Sequence, residues 1–264
     1  MQKPNSPLSV VRRVLAAGFA CDEEDFLREG THVVPWEGRV GRRRFPRQAG
    51  RPRLMIATMG PGAVVSCTAD RLDWAQQHLG QLDRDELFSL PVLARINDLV
   101  RPDGQFVAGP NLLYVGFPNT IFPARCPEGI TIELFEQDRV PSLYAHEGFR
   151  HALHYRVHEE RPDVLATVAC HGDRIVGIAG ASADTVDLWQ IGIEITREFQ
   201  GRGIGKTLTS RLAEAILNRG KVPYYATLPS NIVSRNVAMS VGLRPCWTEV
   251  GTFDGNPFPP ISAV

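Results

Sequence analysis

Nothing in the 264-residue chain offers a disulfide framework or a zinc knuckle. Its five cysteines, Cys21, Cys67, Cys126, Cys170 and Cys246, are odd in number, far apart and never in Cys-x-x-Cys spacing. No apolar run is long enough to span a bilayer, and the stretch Val10 to Cys21, which comes nearest to an export signal, is interrupted by Arg12 and Arg13. A reducing cytoplasm is therefore the expected compartment. Charge of one sign is also missing: Lys plus Arg and Asp plus Glu number 29 each, so nothing global calls for nucleic acid or an anionic membrane. Repeats and low-complexity tracts are absent. What is present is 43% hydrophobic content, enough to fill one or two cores.

The most informative stretch is a glycine-rich turn, QGRGIGKTL at 200–208, between the apolar run Leu188 to Ile195 and a helical pattern. Gly201, Gly203 and Gly205 let the backbone approach an anion, and the first N–H groups of the following helix supply donors and a favourable dipole. Two phosphate loops are excluded by spacing. A nucleotide-triphosphate loop needs glycine five residues before Gly205, where Gln200 stands. A dinucleotide fingerprint needs glycine at 206 or 208, where Lys206 and Leu208 stand. The spacing that fits is Gln-x-x-Gly-x-Gly, carried by Gln200, Gly203 and Gly205. Glycines here also serve a tight turn alone, but the flanking pattern favours the cofactor reading.

After the turn, Ile204, Leu208, Leu212 and Ile216 recur every four residues with Ala215 beside them, and Gly220 follows as a stop, which predicts one amphipathic helix. Val222 to Thr227 reads as a strand. Ser230 and Asn231 are cap candidates for a second helix reaching about Val241, closed by Gly242. In this order of strand, turn, helix, strand and helix, the chain resembles the GNAT N-acetyltransferases. Asn231, Ser234 and Gly242-Leu243 stand where members carry the residues of their last motif. The stretches 183–208 and 220–247 are similar to the branch that includes zwittermicin-A acetyltransferase.

The resemblance implies an α/β (α+β) fold: a mixed, mostly antiparallel sheet flanked by helices, with an N-terminal α/β half readable as a degenerate GNAT-like unit. It implies acetyl-CoA as cofactor, held by Gln200, Gly201, Arg202, Gly203, Ile204, Gly205, Lys206 and Thr207. It adds the main chain of Ile193 and Ile195, and Asn231 and Ser234. The acceptor it implies is a small-molecule amine, an aminopolyol or other antibiotic. Acetylation of a protein lysine or N-terminus, or acyl-CoA binding without turnover, stays open. No membrane partner is expected, nucleic acid is disfavoured, and a homodimer is compatible.

Organisation follows from composition. FPNTIFPARCPEG at 117–129, rich in proline, predicts a boundary near 117–130, with an N-terminal domain at 1–124 lacking a phosphate turn and the acetyltransferase domain at 125–264. In the second domain the pattern predicts a strand at Thr131 to Phe135, a helical region at Pro141 to Tyr155, a hairpin of Val164 to Cys170 with Arg174 to Ala181, and the strand Leu188 to Ile195. In the first it predicts strands Leu54 to Thr58, Ala63 to Cys67 and Leu112 to Gly116, and helices Ala69 to Gln81 and Arg84 to Leu99.

Catalytic groups are less legible. Many members of the resembled family place a Glu where this chain has Trp189, and a Tyr where it has Ala238, so neither usual base nor usual acid is present. Glu194 is the one carboxylate in an apolar strand and is the candidate base, against a paired or exposed structural role. Asp184 and Asp187 follow, though turn aspartates are usually structural. Ser234, with Tyr224 or Tyr225 as substitutes, could donate to the leaving thiolate, a task solvent also performs. Trp189, Gln190 and Tyr225 are candidates for the substrate pocket, Trp189 equally for the core.

Two further clusters carry alternatives. His151, His154 and His158 would share a face on a helix, yet a solvated helix end fits better than a metal site, and no metal is assigned. Arg39, Arg42, Arg43, Arg44, Arg47, Arg51 and Arg53 read as an exposed connection rather than a nucleic-acid surface, with the 3'-phosphate of coenzyme A as a narrower partner.

Overall fold

The computed structural model describes residues 6–37, 43 and 52–255. Two compact units result, neither continuous in sequence: Met1–Val11 with Leu113–Cys246, and Arg12–Leu112 with Trp247–Val264. The division does not fall in 117–130, because that segment is bound to the elements around it. Thr120 Oγ1 donates to Gly242 O (2.8 Å), Phe122 N–H to Val241 O (3.0 Å), Ala124 N–H to Ser210 Oγ (3.2 Å), and Thr207 Oγ1 to Arg125 O (3.0 Å). Pro118, Pro123 and Pro127 thus turn the chain against a packed surface. Gly242, at φ 90°, is required there: a Cβ would sit 1.6 Å from Thr120 O.

The first half runs α1 (Pro7–Phe19), β1 (Gly30–Pro35), β2 (Leu54–Thr58), β3 (Gly62–Cys67), α2 (Leu72–Leu79), α3 (Arg84–Leu87), α4 (Leu90–Val100) and β4 (Gln105–Val115). Strand β3 pairs antiparallel with β2 and parallel with β1. Leu54, Ile56, Val65, Leu79, Leu87 and Ile96 form its core. The sequence pattern misses α1, where Val10, Val14, Leu15 and Phe19 are buried while Arg13 stays outside, so the arginines that break the apolar run lie off the buried stripe. The helix expected over 84–99 is two helices. Asp83 caps α3, and Ser89-Leu90-Pro91 restarts the chain as α4.

The second half runs β5 (Thr131–Glu136), β6 (Asp163–His171), β7 (Arg174–Ala183), β8 (Leu188–Ile195), α5 (Ile204–Asn218), β9 (Val222–Thr227), α6 (Ile232–Ser240) and β10 (Arg244–Asp254). Strands β5, β6, β7 and β8 pair antiparallel in sequence order, and β9 joins parallel to β8. On α5, Ile204, Leu208, Leu212 and Ile216 are fully buried, each worth on the order of 2 kcal/mol relative to exposure. Residues 141–155 are not the expected helix: a 3-10 turn at Val140–Ala145 gives way to irregular chain. Its apolar groups, Leu143, Phe149, Ala152 and Leu153, are buried against Ala166, Val168 and Ile178 without helical phase, so periodicity misleads there.

Candidate active site

Strand β8 is paired unequally on its two sides. With β7 the register continues to Gly177↔Ile195, whereas with β9 it stops at Ile191↔Tyr225. From Gly192 to Ile195 the backbone groups facing β9 therefore have no ladder partner, and a fork opens between β8 and β9. The fork leads into the glycine turn. Gly201 and Gly203 adopt φ 76° and 85°, and Gly203 is the N-terminal cap of α5, with no capping side chain. The first amides of α5 remain free to bind an anion, and exposed Arg202 and Lys206 add positive charge.

Side chains around the turn have mostly local tasks. Gln200 Nε2 donates to Ile195 O (3.1 Å) and closes the turn onto the end of β8. Arg202 lies over the Phe199 ring at 4.8 Å. Ile193 and Ile195 point at α5, since a Cβ on Gly205 would meet Ile193 Cδ1 at 3.4 Å and Ile195 Cγ1 at 3.9 Å. Asn231 caps α6 by accepting from Ser234 N–H (3.1 Å). Thr207 is a correction: fully buried, it spends its hydroxyl on Arg125 O, so it offers a cofactor no side-chain contact.

Glu194 is half-buried, and its Oε2 accepts from His151 N–H at 3.0 Å. That contact depends on glycine. Gly180 and Gly192 are register partners, and a Cβ on either would sit 2.0 Å from Ala152 O or His151 O, so residues 151–152 lie directly on the sheet. Strand-interior glycines were the signal in the sequence that could have located this crossing. Asp184 is corrected as a base: its buried carboxylate accepts from Arg161 Nε (2.5 Å), Ser182 Oγ (2.9 Å) and Tyr224. Asp187 lies 3.7 Å from Lys221 Nζ.

Trp189 and Gln190 do not line one pocket, because neighbours on a strand face opposite ways. Gln190 meets Tyr224 and Arg161, while Trp189 shares the face of Ile193 and buries its indole N–H without an acceptor among the described residues. Tyr225, on the last rung of the β8–β9 ladder, shares a 2.8 Å hydrogen bond with Ser234 Oγ. Burial raises its pKa more than the Ser234 bond lowers it, so the phenol keeps its proton.

The three histidines share no helix face: His151 is exposed, His154 and His158 meet edge to face at 5.3 Å, and burial with nearby Arg156, His154 and Arg161 lowers the pKa of His158. Among the described residues no group of metal-ligating side chains could hold an ion. Of the arginine run, Arg43 is buried and paired with Glu249 at 2.5 Å, against the expectation of exposure, whereas Arg53 lies 3.5 Å from Asp103 with 38% of its side chain exposed. Arg39, Arg42, Arg44, Arg47 and Arg51 fall outside the described residues. No helix among the described residues is long and apolar enough to cross a membrane.

Residues 131–243 match the model of the Acetyltransferase (GNAT) family, and this segment, from β5 through α6, has the GNAT fold. Comparison with curated proteins finds no match. Solved structures similar to the chain include a GCN5-related N-acetyltransferase-like protein from Streptococcus suis, at 17% identity and TM-score 0.44, covering 61% of this chain and 68% of that one. A GCN5-related N-acetyltransferase from Kribbella flavida follows at 14% and 0.44, covering 65% and 66%. A tandem GNAT protein from the clavulanic acid biosynthesis pathway stands at 14% and 0.45, covering 69% and 75%. The chain spans about two thirds of the length of the first two. At these values the likenesses say nothing of substrate.

Proposed function

We propose, from the GNAT segment 131–243, that the protein is an N-acetyltransferase that moves an acetyl group from acetyl-CoA to an amine. The observation that carries the reading is the fork: β8 loses its β9 partner after Ile191 and runs into a positive-φ glycine turn capped by nothing but backbone. These groups suit a phosphate-bearing thioester. Amides from Gly201 to Lys206 would meet the diphosphate, and backbone groups of Gly192 to Ile195 left without a β9 ladder partner would hold the pantetheine arm. When bound, acetyl-CoA supplies an activated carbonyl.

The chain's own residues would do the rest. Glu194, fixed by the His151 amide, takes a proton from the acceptor amine. Tyr225, with Ser234 bonded to it, provides a proton for the departing thiolate at the fork. We take the acceptor to be a small-molecule amine, an aminopolyol or other antibiotic, on the resemblance of 183–208 and 220–247 to the zwittermicin-A branch. A cytoplasmic location is the matching proposal. The test is release of free thiol from acetyl-CoA across a panel of small amines, lysine peptides and buffer alone. Thiol release with small amines supports the reading, preference for peptides overturns the acceptor, and coenzyme A binding without any release makes the protein a binding module.

A further inference from the structure

A buried polar network crosses the base of the fork. Ser182 on β7, Gln190 on β8 and Tyr224 on β9 are successive register partners, so one rung of three strands carries three polar side chains. Tyr224 OH reaches Gln190 Oε1 (3.1 Å) and Asp184 Oδ2, and Ser182 Oγ donates to Asp184 Oδ1. Arg161 binds the rung from outside the strands, through Nε to Asp184 and Nη2 to Gln190 Oε1 (2.7 Å). The next rung, Ile191↔Tyr225, is the last before the strands part.

Arg161 has a third arm. Its Nη1 meets His154 Nε2, and His154 Nδ1 lies 2.8 Å from Asp163 Oδ1. Asp163 Oδ2 also accepts from His154 N–H (2.9 Å) and Tyr144 OH (2.9 Å). Burial, then the charge of Asp163, raises the Tyr144 pKa and keeps that phenol a donor. Three residues before His154, the His151 amide holds Glu194. One guanidinium therefore ties the fork to the segment that fixes the candidate base.

Such an ion pair is costly. The side chains of Arg161 and Asp184 are 7% and 0% exposed, and desolvating them offsets most of their attraction, so apolar residues of similar volume would be as stable. Fixed geometry is what the network supplies and an apolar core would not.

Resting on the acetyltransferase reading, we propose that Arg161 is a positioning residue that couples the β8–β9 fork to residues 149–155 and thereby holds the Glu194 carboxylate in register with the thioester site. It acts through His154 and Gln190 and touches neither substrate.

The test uses the full chain with Arg161→Gln and Tyr224→Phe, each alone and combined with Glu194→Gln. Hydrogen exchange without ligand comes first: peptides covering 146–158 should exchange roughly ten-fold faster in Arg161→Gln while β6 and β7 are unchanged. With acetyl-CoA and the fastest amine of the small-amine panel, kcat/KM should fall roughly ten-fold in Arg161→Gln and about three-fold in Tyr224→Phe, at coenzyme A affinity within about three-fold. Tyr224→Phe keeps the volume and reports even if Arg161→Gln fails to fold. If Arg161 works through Glu194, adding either substitution to Glu194→Gln should cost nothing more. Losses that multiply in the double variants, or wild-type exchange in 146–158, would overturn the coupling. Absence of coenzyme A binding by the wild type would instead overturn the acetyltransferase reading, and the exchange result would still decide whether the clamp exists.

Discussion

Gly192→Ala is the sharpest probe of how the candidate base is held. An added Cβ would sit 2.0 Å from His151 O, and ordinary contact begins at 3.4 Å, so the carbonyl must retreat by about 1.4 Å, the difference of the two. The His151 amide moves with it, and its 3.0 Å bond to Glu194 is lost. Overpacking of this kind costs about 1–3 kcal/mol. Loss of a hydrogen bond to a charged group costs about 1.5–3 kcal/mol. The two overlap, because one displacement causes both, and a net loss of about 3 kcal/mol lowers Tm by about 6–12 °C for a chain of this size. Gly201→Ala is the control. Nothing lies within 4 Å of its Cβ, so only the cost of φ 76° remains, about 1 kcal/mol and about 2–4 °C. Thermal unfolding followed by circular dichroism compares the two, and thiol release from acetyl-CoA shows whether Gly192→Ala also loses rate. A Tm loss in Gly192→Ala no larger than in Gly201→Ala would refute the close crossing of residues 151–152.

Glu194→Gln should slow thiol release by roughly 100-fold at unchanged coenzyme A affinity; a full rate makes the residue structural. Tyr225→Phe should lower kcat by roughly ten-fold or more. Because burial raises the Tyr225 pKa, the protonated donor persists through neutral pH, and the alkaline limb of kcat should lie above the ordinary tyrosine value of about 10; a limb well below it would exclude Tyr225. Burial, joined at Cys67 by the charge of Asp70, pushes Cys67 and Cys246 from 9.0 to about 11 and about 12. Both thiols are neutral in the fold, so their contribution to stability is complete below pH 9 and is lost as pH rises toward 11–12; urea midpoints measured from pH 8 upward should fall across that window and stay level below it.

The parts of the fold that were legible in the sequence are those where one physical pattern dominates. Helix α5 is written by a four-residue apolar stripe, and strands β2, β3 and β6 by β-prone runs between turn residues. The glycine turn is legible because backbone needs there restrict residue type. Residues 141–155 were not, since Leu143, Phe149, Ala152 and Leu153 are buried by irregular chain lying on Gly180 and Gly192, a crossing that no local periodicity writes. The unit boundary was missed because prolines mark both linkers and packed straps, and the bonds of Thr120, Phe122, Ala124 and Thr207 across long sequence separations tell them apart. In the site, Asp184 looked available because its partner Arg161 lies 23 residues away, a distance no local pattern bridges. The pairing of Tyr225 with Ser234 was hidden for a related reason: strand and helix must fold before the two hydroxyls meet.

The central claim is that the fork and its glycine turn form a coenzyme A site, and titration calorimetry of coenzyme A into the wild type, Gly203→Val and Thr207→Val tests it most directly. Gly203 needs φ 85°, which a β-branched residue resists, whereas the Thr207 hydroxyl points at Arg125 O and away from any ligand. The account predicts saturable binding by the wild type, at least ten-fold weaker binding by Gly203→Val with helix content intact, and affinity within about three-fold of wild type for Thr207→Val. Equal affinity in wild type and Gly203→Val, or no binding by the wild type, would contradict it.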